Sequence, residues 1–529
     1  MSSKNEKTAI VYDYVIIGAG ASGPIVAAGL AADGFTVLLL EAGLGVDPGD
    51  RDVWDPQRWF KVQADPVIEW GYQSIAQPNL MGRKLSMQQS RCLGGCTIHN
   101  AMVYVRGGQT TYDHWEKDLG CAGWGYHRLE PIFDEMEKKI GILRGDDDVL
   151  VRSFYAAAQN QGIPFNEKYN HNKTEYGHVP FQFAIEQTAV GLRRTTSYEK
   201  YIGQGANLKN LTIEPGAFVH QLLFTGLTAY GVLYQDRFGD MRTVKVNHEV
   251  ILSAGTIASP KILLQSGIGP KADLEKLGIK VIKDLPQVGQ NFYDDLGLPS
   301  IFTQKQNLPA QPYGFLTSGV FLASAPGFDP NHPKYAQVNL EMQVCSSDLP
   351  GAPQMDVKYF SVGMAAMHLK SRGSIKLASA DPREQPLIDP NYLSDKNGED
   401  LQQCVAALKR ALGISWDPAL DAWRGEPLFP GVRPGVQPGT WEYIGPEPTF
   451  EQYLEDYVKL FGVSIQHYVG TCAMGTDPLT SVVGPDLKVH GVAGLRVIDA
   501  SVAPTPVTGN TAGVSYVIGA KGAQLLKKK

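Results

Sequence analysis

The chain has no run of about 18 apolar residues, so no segment is expected to cross a bilayer as a helix. Its six cysteines in 529 residues are too few and too scattered for a disulfide framework. Cys92 and Cys96 lie together in CLGGC, but no second pair completes a zinc site, so no metal is expected. Positive charge is not in excess. A net −6 gives no reason to expect nucleic acid or an anionic membrane as partner. Heptads, internal repeats and low-complexity tracts are missing as well. The N-terminal MSSKNEKTAI lacks the apolar core of a signal peptide, and the final LLKKK is not a peroxisomal tripeptide. A cytoplasmic location is therefore the expectation, although a mature form stripped of its signal would read the same.

What the chain does have is length, glycine and one well-formed motif. At 529 residues it exceeds what a single core organises, so two or more domains are expected. The 57 glycines and 34 prolines predict many turns and long ordered loops. Val11–Gly43 reads VYDYVIIGAGASGPIVAAGLAADGFTVLLLEAG. Tyr14–Ile17 is a continuous apolar run, as in a strand buried on both faces. A glycine turn follows, then a small-residue helix over Pro24–Asp33 and a second apolar strand over Thr36–Leu40. The glycines have separate tasks. Gly18 makes the turn, Gly20 admits a pyrophosphate close to backbone, and Gly23 lets helix and strand approach. The helix N-terminus offers free N–H groups to phosphate. Glu41 stands where a carboxylate accepts a ribose hydroxyl pair. The motif predicts a dinucleotide but does not choose between FAD and NAD.

Beyond Glu41, Asp47–Tyr72 is a long loop that reads equally as a lid, a cofactor-embracing segment or an interdomain cover. Arg91–Gly108 carries a Gly94-Gly95 turn and a polar cluster of Cys96, Thr97, His99 and Asn100. It would suit a flavin edge or a plain hairpin. Apolar spacings predict helices over Tyr112–Trp124 and Leu129–Lys139. Leu211–Gly255 alternates as short antiparallel strands. Ser259 and Pro260 predict a helix start. Ala310–Met364 reads as sheet, Ser374–Leu377 as a strand, and Gly398–Leu412, Phe450–Phe461 and Thr511–Leu526 as helices. Arg193, Arg194 and Lys370 read as a solvated charged face rather than an anion site.

Taken together, GAGASG with LLLEAG, LGG running into MVYVRG, TYDHWE with GWGY, GTIASPKILLQSGIG, HYVGTCAMG and LRVIDASVAPTPVTGNTAG resemble the glucose–methanol–choline (GMC) oxidoreductase family over nearly the whole length. Cys96–Asn100 is most similar to its choline oxidase-like alcohol oxidases. The resemblance implies an α/β fold: a Rossmann-like FAD-binding domain with an interleaved α+β substrate domain on an antiparallel sheet. Residues 1–155, 202–296 and 465–529 are expected in the former, and 156–201 and 297–464 in the latter.

It also implies FAD as cofactor, held by Gly18, Gly20, Ser22, Gly23, Glu41 and Ala42. Further FAD contacts fall to Arg91, Gly94, Gly95, Cys96, His99, Asn100, Ala101 and Val103. Val219 would meet adenine, and Asp499, Ala500, Asn510 and Thr511 would line the pyrophosphate and ring end. By resemblance His99 is covalently bonded to the flavin; otherwise it is a histidine at the flavin rim. His467 matches the catalytic histidine, a base near neutral pKa. Asn510 matches a second catalytic position that holds His or Asn, where an amide can orient an alkoxide.

Ile465 would face the flavin edge or sit in the core. The family's substrate carboxylate falls near Gln311, which is uncharged, and this argues for a neutral alcohol. Phe315 and Tyr359 are candidate pocket residues. Asp294-Asp295 replaces a motif that usually reads Asp-His, a change without an account at this level. The expectation is an FAD-dependent oxidase of primary alcohols using O2, with a homodimer left open. A dehydrogenase with another acceptor and a lyase on the same scaffold are the alternatives.

Overall fold

The computed structural model describes residues 11–527 apart from 64, 146–147, 172–174, 204–207, 309–317, 323–339, 346–357, 435–440 and 444–448. Two sheets organise it. The first is parallel at its centre. Val11–Ile17 pairs on one side with Val37–Glu41, which in turn pairs with Leu211–Pro215. On its other side it pairs with Met241–Leu252, whose end continues to Leu495–Val497. Tyr14–Ile17 is buried on both faces, as its unbroken apolar run requires. The 12-residue strand Met241–Leu252 serves two neighbourhoods. Its second half lies in the parallel centre, and its first half forms an antiparallel meander with Thr228–Gln235 and Phe218–Thr225.

Helix Gly23–Ala32 packs against the C-terminal helix Ala512–Lys527. Small residues make that approach possible: the Ser22 hydroxyl donates to the Ser515 carbonyl at 2.7 Å, and a Cβ on Gly519 would lie 2.9 Å from the Ser22 Cα.

The second sheet is antiparallel, in the order Arg424–Phe429, Leu296–Gln304, Tyr359–Ala366, Leu340–Cys345, Ser318–Leu322, Gly177–Pro180. Val463–Ser464 adds to Leu296–Gly297 and brings the following residues to the junction of the two sheets. Helix Phe450–Phe461 is capped by the Thr449 side chain, which accepts from the Gln452 N–H at 3.0 Å.

Two expected helices differ from those observed. The first ends at Lys117 rather than Trp124, because Gly120 and Gly123 both take left-handed φ and turn the chain. The second runs Gly255–Gln265 with Pro260 inside it, not at its start. Pro260 has no N–H for the Thr256 carbonyl. The Thr471 hydroxyl supplies that bond at 2.6 Å, which explains how the helix tolerates the proline. Ser259 is not a cap; its hydroxyl donates to Asp499 at 2.5 Å.

Candidate functional site

A cavity of about 560 Å3 runs along the junction of the two sheets. Its first end is built largely of backbone. Gly18 takes φ +103° at the end of the first strand, where any Cβ would strike Ser253. Across the cavity, Gly94 and Gly95 take φ +103° and +52° and lead into a short 3-10 turn, Gly95–Ile98. The Gly94 N–H donates to the Ala19 carbonyl at 2.8 Å, locking the two glycine turns together. A Cβ on Gly95 would lie 2.6 Å from the Gly20 Cα. The two turns therefore touch backbone to backbone, an approach possible only while Gly95 lacks a side chain.

Glu41 closes the second strand. One of its carboxylate oxygens accepts from the Ala19 N–H and the other from the Gly43 N–H, both at 2.9 Å. Burial nevertheless raises its pKa to about 7, against the pull of those N–H groups and Arg91. Asp499 is also buried. It accepts from the Gly255 N–H at 2.9 Å and from Ser259 and Ser501 hydroxyls at 2.5 Å each.

The expected residues Gly18, Gly20, Ser22, Glu41, Ala42, Gly95, Cys96, His99, Asn100, Ala101, Val103, Val219, Asp499, Ala500, Asn510 and Thr511 all line this cavity. Gly23, Arg91 and Gly94 stand behind its wall. A Cβ on Gly23 would strike the Gly18 carbonyl, and Arg91 lies over the Trp70 ring at 5.1 Å.

His99 is 4% exposed. Its Nδ1 pairs with the Glu69 carboxylate, whose other oxygen accepts from the Gln89 N–H at 3.0 Å. Burial alone would lower the His99 pKa, but Cys96 and Glu69 beside it raise it to about 9. Glu69 lies on the long loop after Glu41. That loop also brings Trp59, Gln63, Trp70 and Tyr72 to the cavity wall, so it embraces the site. Arg194 is buried too, contrary to the solvated face expected of it. It donates to the Val53 and Thr97 carbonyls and to Asn100, tying the loop to the turn at residues 95–100. Arg193 and Lys370 pair with Glu199 and Glu399.

The far end of the cavity is made of side chains. Strand Leu296–Gln304 starts directly after Asp294 and Asp295, and both grip His467. Asp294 accepts from the His467 backbone N–H at 2.8 Å, and Asp295 pairs with Nδ1 at 2.8 Å. Asp294 also accepts from Tyr392 and Ser464 hydroxyls at 2.5 and 2.6 Å. Burial pushes its pKa up to about 6 despite those donors. The preceding residue, Gln466, takes φ +61°, a strained conformation that aims the chain at this point. His467 Nε2 meets Asn510 Nδ2 at 3.1 Å. Asn510 Oδ1 is buried without a partner among the described residues.

Around this pair the wall is apolar: Trp59, Pro299, Ile301, Phe429, Phe461 and Ile465. Tyr457 also lines it, and its hydroxyl donates to the Pro299 carbonyl at 2.6 Å. Of the expected substrate residues, Ile465 and His467 line the cavity and Tyr359 does not. Gln311 and Phe315 fall outside the described residues.

Sequence reasoning missed Trp59, Phe429, Tyr457, Phe461 and Glu69, and it gave Asp295 no role. The amphipathic pattern of Phe450–Phe461 was the one signal that could have nominated Tyr457 and Phe461. Among the described residues no cluster of His, Cys, Asp and Glu could hold a metal, and no helix is long and apolar enough to cross a membrane.

The walls fit a flavin dinucleotide: glycine turns without side chains, the buried Glu41 carboxylate, and two histidines with the Asn510 amide. Comparison with known proteins agrees. The GMC oxidoreductase family model matches residues 12–296 and 370–519. The chain is 31% identical to the oxygen-dependent choline dehydrogenase of Proteus mirabilis, over 98% of this chain and 96% of that one. It is 30% identical to the choline oxidase of Arthrobacter globiformis, over 98% and 94%. Among solved structures, pyridoxine 4-oxidase from Mesorbium loti superposes with a TM-score of 0.85 at 26% identity, covering 98% of this chain and 99% of that one.

Proposed function

The chain belongs to the GMC oxidoreductase family, an FAD-dependent oxidoreductase acting on CH–OH groups, and from that premise we propose that it oxidises a neutral primary alcohol, aryl or aliphatic, using O2. Products are aldehyde and hydrogen peroxide. The observation that carries this reading is the His467–Asn510 pair, set in an apolar wall at the end of the cavity opposite Glu41. Bound FAD supplies the hydride acceptor, its N5. The remaining work falls to side chains. His467 Nε2 takes the hydroxyl proton, so that the carbinol hydride is released rather than held. The Asn510 amide orients the substrate oxygen and donates to it as charge develops. Trp59, Phe429, Phe461 and Ile465 exclude water and receive the apolar part of the alcohol.

No carboxylate lines this end of the cavity among the described residues, and Gln311, near the family's substrate carboxylate, carries no charge. A neutral substrate needs neither. The relatives' names favour choline as a second reading. Its ammonium would rely on the aromatic faces of Trp59, Phe429, Tyr457 and Phe461. The apposed His99 would hold the flavin covalently through Nε2, since Glu69 takes Nδ1. We also assign residues 1–155, 202–296 and 465–529 to FAD binding and 156–201 and 297–464 to substrate binding. The first set carries the parallel strands and the second the antiparallel sheet.

The test is anaerobic mixing of the yellow protein with benzyl alcohol, hexan-1-ol, choline and glucose in turn, followed by air. Bleaching by benzyl alcohol or hexanol and recolouring in air is the expected result. Bleaching without recolouring would establish a dehydrogenase, and bleaching by choline alone would overturn the neutral substrate. A flavin that stays oxidised with every compound would favour the lyase.

A further inference from the structure

We infer that Asp295 is a positioning residue for His467: it fixes the imidazole tautomer, and its buried charge draws the substrate proton onto Nε2. This rests on the reading of His467 as base. Two adjacent residues on extended backbone point to opposite sides. The chain bends the Gln466–His467 segment so that Asp294 takes its backbone N–H while Asp295 takes the ring. A carboxylate accepts, so Nδ1 carries the proton, and in the neutral imidazole Nε2 presents its lone pair. The Asn510 NH2 is turned toward Nε2 at 3.1 Å and holds that lone pair until a substrate hydroxyl takes its place. That leaves Oδ1 as the unpartnered acceptor. One carboxylate thus sets the direction of the whole chain Asp295–His467–Asn510.

Asp295 is 1% exposed, and the groups around the pair are few. The Tyr293 hydroxyl donates to its other oxygen. Asp294 stands on the backbone side of His467, with Tyr392 and Ser464 donating to it. His368 and Arg372 feel the Asp295 charge. Burial lowers the His368 pKa to about 4, so that ring is neutral. Arg372 donates to the Leu369 and Ser371 carbonyls and lies over the Tyr293 ring at 4.8 Å. No cation bonds Asp295 directly among the described residues. The imidazolium formed when His467 accepts the proton is the charge that neutralises it. The histidine that usually fills this slot in the family can supply a hydrogen bond there but not this fixed negative charge. The altered motif is therefore a change in how the base is driven.

The first measurement is the downfield region of the proton spectrum of the FAD-loaded protein, which needs no substrate. A strongly downfield imidazole N–H, lost in both His467→Ala and Asp295→Asn, is expected. The His99–Glu69 N–H should survive in both variants as an internal control. Persistence of the His467 signal in Asp295→Asn, or its absence from the wild type, would overturn the pairing.

The second measurement is anaerobic flavin reduction against pH with the alcohol that bleaches the wild type. Asp295→Asn should slow it by about 10²–10⁴-fold and move the ascending limb to lower pH. Tyr293→Phe removes a hydroxyl that shares the carboxylate with the imidazole and should move the limb to higher pH. Should Asp295→Asn fail to fold, the Tyr293→Phe shift decides alone. A merely structural Asp295 would cost FAD content or thermal stability and leave the limb in place. If His467→Ala reduces its flavin at the wild-type rate, the base reading fails. If His467→Ala is inert while Asp295→Asn keeps both rate and profile, the present inference alone fails.

Discussion

Two histidines stand on one cavity, each with Nδ1 on a buried carboxylate: His99 on Glu69 and His467 on Asp295. Their surroundings separate them. His99 sits on a turn braced by Gly94, Gly95 and Arg194, with Cys96 beside it. The amides nearest it are engaged with protein: Gln63 donates to the His99 carbonyl at 3.3 Å, and Asn100 accepts from Arg194 at 2.7 Å. His467 follows a strained Gln466, faces Asn510 and borders the apolar wall. On the proposed reading, the same pairing would serve one ring in flavin attachment and the other in proton uptake. What Nε2 meets decides the task, not the pair itself.

The sharpest way to break this contrast is to remove one ring at a time. His467→Ala should slow anaerobic flavin reduction by about 10²–10⁴-fold with FAD content unchanged. His99→Ala should leave that rate far less affected, yet release all flavin when the protein is denatured, seen as loss of the fluorescent band on a denaturing gel. Matching effects on both readouts would erase the distinction. Next in size, Asn510→Ala should slow reduction by about 10²–10³-fold, the usual cost of one preorganised donor. The rate should be followed by stopped-flow absorbance.

A smaller effect sharpens the His99 side. Its pKa is raised to about 9, so the ring is protonated and non-nucleophilic below that pH. Covalent attachment to apoprotein should accelerate about tenfold per pH unit and level off near 9. Acid-stable flavin would be counted over time. Glu69→Gln removes a raising influence, so its plateau should begin at lower pH.

The smallest effect lies at the ribose end. Glu41, with a pKa of about 7, would bind ribose hydroxyls best when ionised. FAD affinity of the apoprotein should therefore rise with pH from about 5 and flatten above 7. Apoprotein stability should run the other way. The folded pKa lies above the unfolded value, so this group's contribution is full below about 4.5 and is lost as pH rises through 7. Titration calorimetry and denaturant melts would separate the two.

Legibility followed locality. Gly18–Glu41 could be read because turn, helix and strand are contiguous and each residue's task is set by its immediate neighbours. His467 and Asn510 could be read because the segments around them resemble a family. Glu69 could not be, lying 30 residues before its partner on a loop without periodicity. Asp295 was visible as a departure but mute, because which of two adjacent carboxylates faces a ring 172 residues away is fixed only by strand pairing. Trp59 and Phe429 come from elements that share no sequence pattern. The misplaced start at Pro260 has a similar cause: the hydroxyl that rescues its helix belongs to Thr471, far along the chain.

The sheet that begins with Val11–Ile17 is completed by Leu495–Val497, and the first helix is backed by Ala512–Lys527. A ribosome making this protein therefore exposes the glycine turn long before its supporting wall. Until then one side of Val250–Leu252 is an open apolar edge, a hazard that a chaperone would have to cover. Cofactor capture is accordingly a late event, and chains interrupted before residue 495 should emerge colourless.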